Sequence, residues 1–394
     1  MDSFIDEEFT SQIEWLKGLV ELPSDTDSRE DVEVAAAYVD EAMTELGFEV
    51  ERRRDSTGER ADHRIYSSGS TSAQDEALAL VGHVDTVYPQ HWDWREDGHG
   101  RIYGPGIMDM KGGLSAIVFS LRALRESHPD VYERLKVRFV LNTDEEKGST
   151  SSRVIFQELA SRMKCALVFE PGRAEDKIVT TRKGAAPFSI SAEVPSGLPA
   201  HAGGKHREGS NALHALMLLG HRIESMTDYD RGLTFSVVID QSDEKNLTMK
   251  RNILPSRASF LVDCRYQNPG DAGAAIELLR KEIENGQLPG LADMNPGLDE
   301  RVARVRLEIR FGGEEGVGRP PMNPTEGIQD LRRRYERHAG ACGLEIGEAP
   351  LQGGVSDANY IADYGVPVID GLGPYGENAH RRGDEWMGID SLSR

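Results

Sequence analysis

Three short apolar runs constrain the fold of this chain more than any other feature. Ala77–Val84, Val137–Leu141 and Cys165–Phe169 are almost unbroken by polar residues. A strand with one face in water alternates. A run that is apolar nearly throughout needs cover on both faces, the condition met in parallel sheets flanked by helices. Between the first two runs, Leu114, Ile117, Val118, Leu121 and Leu124 recur at helical spacing just after Gly112-Gly113. Ser152–Ser161 predicts a helix between the second and third. Upstream, Ile13, Leu16 and Val20 mark one helix, and Val32, Ala36, Val39, Met43 and Leu46 a second. Gly47 stops it, and Phe48-Glu49-Val50 opens an extended segment. This order implies an α/β fold, a mostly parallel sheet with helices on both faces.

From about Lys183 the pattern changes. Phe188, Ile190, Ala192 and Val194 alternate like a half-buried strand, followed by an amphipathic helix through Leu213, Leu216, Met217, Gly220 and Ile223. Leu233–Ile239, Ala258–Cys264 and Val302–Phe311 alternate in the same way, with a helix expected over Ala272–Asn285. These elements read as a separate α+β domain with one exposed sheet face, inserted in the first. After Pro320-Pro321, a helix over Gly327–Cys342 and a buried strand over Val366–Ile369 return to the α/β pattern. The expected division is therefore residues 1–181 and 321–394 for the first domain and 182–320 for the insertion.

Bulk properties narrow the partners. A length of 394 residues suits two domains, and 38% apolar with 29% charged residues describes a soluble globular chain. The formal net charge of -21 argues against nucleic acid or an anionic membrane as a partner. No apolar run reaches membrane-spanning length. The start, Met1-Asp2-Ser3-Phe4-Ile5-Asp6-Glu7-Glu8, lacks the basic flank and apolar stretch of a secretion signal. Cys165, Cys264 and Cys342 are too widely spaced for a Cys-x-x-Cys site and read as core-filling thiols. A cytoplasmic location is expected.

The chemistry gathers where strands end. His83 and Asp85 close the first run; residues two apart share a strand face, so both can enter one crevice. Asp85 can then hydrogen-bond the far imidazole nitrogen and hold His83 in one tautomer. Gly104-Pro105-Gly106-Ile107-Met108-Asp109-Met110-Lys111-Gly112-Gly113 is a glycine-dense turn entering a helix, with spacing unlike either nucleotide-binding glycine loop. Asp144-Glu145-Glu146 follows the second run, Glu170 the third, and His380 lies beyond the last strand. In open α/β sheets, ligands collect beyond the carboxyl ends of strands. Of two adjacent glutamates, one can hold a metal while the other moves a proton. Imidazoles with carboxylates and no thiolate favour Zn²⁺, with Mn²⁺ or Co²⁺ also compatible. Two ions would share one carboxylate and a water, acidifying the water while polarising a carbonyl.

These motifs, with His201-Ala202-Gly203 and Asn378-Ala379-His380, run in order over nearly the whole chain. Together they resemble the acetylornithine deacetylase, succinyl-diaminopimelate desuccinylase and glutamate carboxypeptidase family of co-catalytic zinc hydrolases. The resemblance implies a zinc-peptidase-like sheet and two divalent ions per chain bridged by Asp109. It implies that His83 and Glu170 complete one site and Glu146 and His380 the other. Asp85 would orient His83, and Glu145 would act as general base, passing a proton from the bridging water to the leaving nitrogen. A cis Asp109–Met110 bond is implied as well. The inserted domain resembles the family's lid and dimerisation domain, so a homodimer is expected. There His201 would reach a neighbouring subunit's site and stabilise the oxyanion. Asn252 and Arg265 match the substrate-binding pair, and Gly354 and Ser356, in Gly353-Gly354-Val355-Ser356-Asp357, match a loop lining the substrate pocket.

Three departures from the family pattern stand out. Asp240-Gln241-Ser242-Asp243-Glu244-Lys245 occupies the stretch before Asn252 where paired glycines are usual. Arg381-Arg382 follows His380 directly, and the chain stops at Arg394, so a short closing helix or none is expected. The leading reading is a dinuclear metal hydrolase that splits the C–N bond of a small carboxylated molecule, such as an N-acyl amino acid or short peptide. Hydrolysis of a non-peptide amide or arylamine on the same site is the alternative. A non-catalytic, metal-stabilised dimeric scaffold is the reading from outside enzymes.

Overall fold

Leu80 of strand Ala77–His83 packs into one apolar core while its neighbours Ala79 and Val81 pack into another. The strand Val137–Asn142 divides likewise, with Phe139 and Leu141 on the first side and Val140 on the second. Two covered faces explain why both segments are apolar at successive positions. Helices Arg29–Glu45 and Gly112–Ser127 supply the first cover; Ser152–Leu159, Glu326–Ala341 and Asp357–Asp363 supply the second. Each fully buried Leu, Val or Phe contributes roughly 1.5–3 kcal/mol over its exposed state.

This is a computed structural model, and it describes residues 2–243, 249–286, 297–311, 318–344 and 346–392. Of the sequence features singled out above, Met1, Glu244, Lys245 and Arg394 lie outside the described residues. The chain forms two compact units, one of Met1–Arg182 with Met322–Arg394 and one of Lys183–Pro321.

The first unit holds a six-stranded sheet in the order Glu49–Arg53, His63–Ser67, Val137–Asn142, Ala77–His83, Met163–Val168, Val368–Ile369. The last four strands are mutually parallel, whereas Glu49–Arg53 and His63–Ser67 join antiparallel at one edge. The sheet is therefore mostly parallel, as expected. Pairing sets His83 beside Asn142 and Val81 beside Val168, which brings three strand ends to one edge of the unit. A second, antiparallel sheet of short strands runs Gly376–Glu377, Trp386–Gly388, Arg101–Tyr103, Arg95–Glu96. It ties the chain's last segment to the strand just ahead of the glycine-dense turn. The last described element is the short helix Ile389–Leu392.

In the second unit, Thr234–Ile239, Arg257–Tyr266, Phe188–Glu193 and Arg306–Phe311 lie side by side and antiparallel. Phe188, Ile190, Ala192, Phe260 and Val262 pack against helices Ala212–Glu224 and Pro269–Glu284, while Val238 and Leu261 on the other side are exposed. The helix expected from Ala272 starts at Pro269, and the unit's last strand starts later than expected. Val302 belongs to the helix Leu298–Ala303, and the strand begins only at Arg306. Val302 and Val305 are both buried in this core, so a helix end and a strand start mimic one alternating run.

Candidate metal centre

His83 is the last residue of its strand. Its Nδ1 lies 3.0 Å from the Asp85 carbonyl oxygen, and its Nε2 lies 3.2 Å from Asp109 Oδ1 and 3.8 Å from Glu170 Oε1. The Asp85 carboxylate stands 3.6 Å from Nδ1, so the carbonyl is the nearer partner. That carboxylate is occupied elsewhere. It accepts from the Thr26 hydroxyl at 2.8 Å and from the amides of Glu145 and Glu146 at 3.3 and 3.2 Å. One buried aspartate thus ties the end of His83's strand to the turn that carries both glutamates.

That turn, Glu145–Lys147, is held from below. Asp144 accepts from the Ser151 amide and the Ser152 hydroxyl, and Asn142 and Ser149 both donate to buried Asp357. Asp109 sits in the glycine-dense turn, with a cis Asp109–Met110 peptide as expected. The turn needs its glycines. Gly106 has φ +70°, and a Cβ on Gly113 would fall 2.0 Å from the Phe169 carbonyl oxygen. Its amides at Gly106, Met108 and Asp109 all point to the Glu385 carboxylate.

Two sets of ligand atoms result, each within 4.8 Å: His83, Asp109 and Glu170, and Asp109, Glu146 and His380. Asp109 belongs to both. His380 Nε2 lies 3.3 Å from Asp109 Oδ2 and 3.2 Å from Glu146 Oε2.

The electrostatics show acids crowded beyond their own compensation. Burial and the charge of Asp109 push Glu146 up to about 8. The same two causes hold Glu170 well above the carboxyl range. The charge of Glu145 adds to both shifts, which places its carboxylate beside them. Burial would also raise Asp109, yet the bonds from His380 and His83 outweigh it and hold its carboxyl far below the usual range. Bonds to Asp109 and Glu146 push His380 up to about 11. Burial disfavours charge on His83, but its bonds to Asp109 and Asp85 prevail and keep it well above an ordinary histidine. Carboxylates and imidazoles held this close retain protons that divalent cations would displace. The donor set therefore fits divalent cations: an imidazole with carboxylate oxygens in each cluster, and no thiolate.

The remaining candidates belong to neither ligand cluster. His201 is in the second unit, its short strand paired with Ile253–Leu254. Its Nδ1 accepts from the amides of Gly203 and Gly204, so the neutral ring carries its proton on Nε2. Asn252 lies alongside, its carbonyl accepting from the Ala202 amide. Arg265, in the same unit, donates through Nε to both oxygens of Asp263 at 2.9 and 3.0 Å. In the first unit, the Gly354 carbonyl accepts from buried Arg182. Ser356 is fully buried; it caps the helix Asp357–Asp363 and donates to Asp370. Its hydroxyl shapes the loop instead of facing solvent. Thr26 and Glu385 were not foreseen in the sequence. Each lies beside other polar residues and far along the chain from what it holds, and no spacing announces it.

Acids and imidazoles sharing an aspartate at the carboxyl ends of a parallel sheet belong to metallohydrolases. The chain is a member of Peptidase family M20/M25/M40, whose model matches residues 79–394. It is 30% identical over 390 residues to carboxypeptidase G2 of Pseudomonas sp. (strain RS-16), covering 97% of this chain and 86% of that protein. With the succinyl-diaminopimelate desuccinylase of Rickettsia felis (strain ATCC VR-1525 / URRWXCal2) it shares 26% over 404 residues, 97% of this chain and 96% of the relative. Among solved structures, aminopeptidase PepT from Bacillus cereus ATCC 10987 superposes with a TM-score of 0.71 at 19% identity, covering 100% of this chain and 95% of that one. The family resemblance of the motifs holds, and the chain is a metal-dependent hydrolase. Among the described residues, no helix is long and apolar enough to cross a membrane.

Proposed function

We propose that this protein hydrolyses the C–N bond of a small carboxylated substrate, an N-acyl amino acid or a short peptide, at a centre for two divalent ions. The observation that carries this reading is the pair of ligand clusters sharing Asp109 beside Glu145. His83 and Glu170 would hold one ion, Glu146 and His380 the other, and Asp109 both, with Zn²⁺ the best match to the donors. When bound, such ions supply Lewis acidity toward a carbonyl and lower the pKa of water.

The chain's own groups do the rest. Glu145 takes a proton from the attacking water and returns it to the leaving nitrogen. Asp85 keeps Glu145 in place through its amide and steers His83. The Nε2–H of His201 is the donor for the developing oxyanion. Arg265 exchanges Asp263 for the substrate carboxylate, a bidentate match that its planar guanidinium allows, and Asn252 and the Gly354 loop border the same substrate. A carboxylated substrate also accords with the names of the two relatives, a carboxypeptidase and a desuccinylase. The domain of residues 182–320 serves as lid and dimer surface for the catalytic domain of 1–181 and 321–394. The free thiols of Cys165, Cys264 and Cys342 suit a cytoplasmic setting.

Metal analysis beside a screen of N-acyl amino acids, dipeptides and aminobenzoates tests the reading. Two ions per chain are expected. Glu145→Gln should keep both and lose turnover by roughly 100- to 10,000-fold. Undiminished turnover in that variant would remove Glu145 from the mechanism, and a chain that takes up no ion would end the proposal.

A further inference from the structure

We propose that Glu385 is a positioning residue that fixes the aspartate shared by the two ligand clusters. This inference rests on the metal-centre reading above. The Glu385 side chain is fully buried. Its Oε1 accepts from the amides of Met108 and Asp109 at 2.9 and 3.0 Å. Its Oε2 accepts from the Tyr88 hydroxyl at 2.6 Å and the Gly106 amide at 3.1 Å. Four donors meet the four acceptor positions a carboxylate offers; a carboxamide oxygen offers two.

The placement of those donors makes the contact more than a loop anchor. One of them is the amide of Asp109 itself, and the other two amides are its neighbours in the turn. Asp109 Oδ1 faces His83 while Oδ2 faces His380, so any drift of the turn moves both oxygens against both clusters. Glu385 reaches the turn because strand Trp386–Gly388 pairs with Arg101–Tyr103, setting Trp386 opposite Tyr103. That pairing docks the residue preceding Trp386 beneath the turn that begins just after Tyr103. Gly106 lets the turn close tightly on itself: a Cβ there would lie 2.6 Å from Thr86 Cγ2 and 3.2 Å from the Asp109 carbonyl oxygen. The last segment of the chain thereby sets ion geometry while holding no ion.

The test is ion binding by the full chain, stripped of metal and titrated with Zn²⁺ alone against a chromophoric chelator, with Co²⁺ absorption as a second readout. Glu385→Gln keeps the size but leaves donors unmatched. It should bind at least one ion about 10- to 100-fold more weakly and change the Co²⁺ spectrum. Tyr88→Phe removes one donor and keeps carboxylate and amides, and should weaken binding by roughly threefold. It carries the test if Glu385→Gln does not fold. Affinity and spectrum matching the unaltered chain, in Glu385→Gln or in Tyr88→Phe standing in for it, overturn the positioning role while the metal centre stands. An unaltered chain without affinity for Zn²⁺ or Co²⁺ overturns the metal centre, and this role with it.

Discussion

Asp85 shows how much of the site one side chain can hold. Its carboxylate gathers the Thr26 hydroxyl and the amides of Glu145 and Glu146, while its carbonyl meets His83 Nδ1. A candidate histidine ligand from one cluster, a candidate glutamate ligand from the other and the proposed general base therefore share one support. Asparagine at this position keeps the shape but offers a single acceptor oxygen, and its NH₂ faces groups that themselves donate. Asp85→Asn should lower kcat by about 10- to 100-fold and weaken ion binding by a similar factor. Glu145→Gln, by contrast, should retain its ions. Initial rates measured beside a chelator titration separate the two variants. Full ion affinity in Asp85→Asn would show that the carbonyl alone orients His83.

At the scale of elements, strand His63–Ser67 combines burial with charge. His63 and Arg64 are fully buried, the guanidinium of Arg64 bonded to Glu33 and Asp40. Burial depresses the His63 pKa from 6.5, with the charges of Asp144, Asp55 and Asp85 opposing. Its Nδ1 accepts from the Thr143 amide, a bond that only the neutral ring can make on that nitrogen. Below pH 6.5 the unfolded chain takes up a proton that the folded His63 resists. Stability from this residue is complete above that value and is lost as pH falls toward the lower, folded pKa. Denaturant unfolding of the metal-free protein over this range should therefore show His63→Gln losing less stability, or gaining more, on acidification than the unaltered chain. The same pH dependence in both chains would assign any acid sensitivity to other groups. The same strand explains what could be read in advance. Ala77–His83, Val137–Asn142 and Met163–Val168 announce themselves because helices cover both faces and leave long apolar runs. His63–Ser67 is equally enclosed, but ion pairs replace apolar surface, so its sequence looks like a loop. The strands of two or three residues around Trp386 have no period to detect. Glu145, Glu146 and Glu170 were legible because each follows an apolar run. Glu385 was not, since its partners lie on a turn remote in sequence.

At the scale of the whole molecule, the strongest demand of the proposed function is that His201 serves a second chain. Three features of the Lys183–Pro321 unit bear on it. Its strand Thr234–Ile239 lies at a sheet edge and exposes Val238 and Ile239, an edge suited to covering by another chain. His201 is itself exposed, and its Nδ1 is satisfied by two amides of its own loop. The ring thus presents Nε2–H outward as a donor with its tautomer already chosen. In a twofold dimer with shared sites, each site takes Glu145 from one chain and His201 from the other. A His201→Ala chain and a Glu145→Gln chain are each inactive alone, but a mixed dimer rebuilds one intact site from the two. Random equimolar exchange makes about half of all dimers mixed, with one working site in each, so about a quarter of the unaltered activity should return. Activity that stays at the level of the parents in verified mixed dimers would mean that His201 acts within its own chain or not at all. A protein that sediments as a monomer at assay concentration while fully active would rule out the shared site by itself.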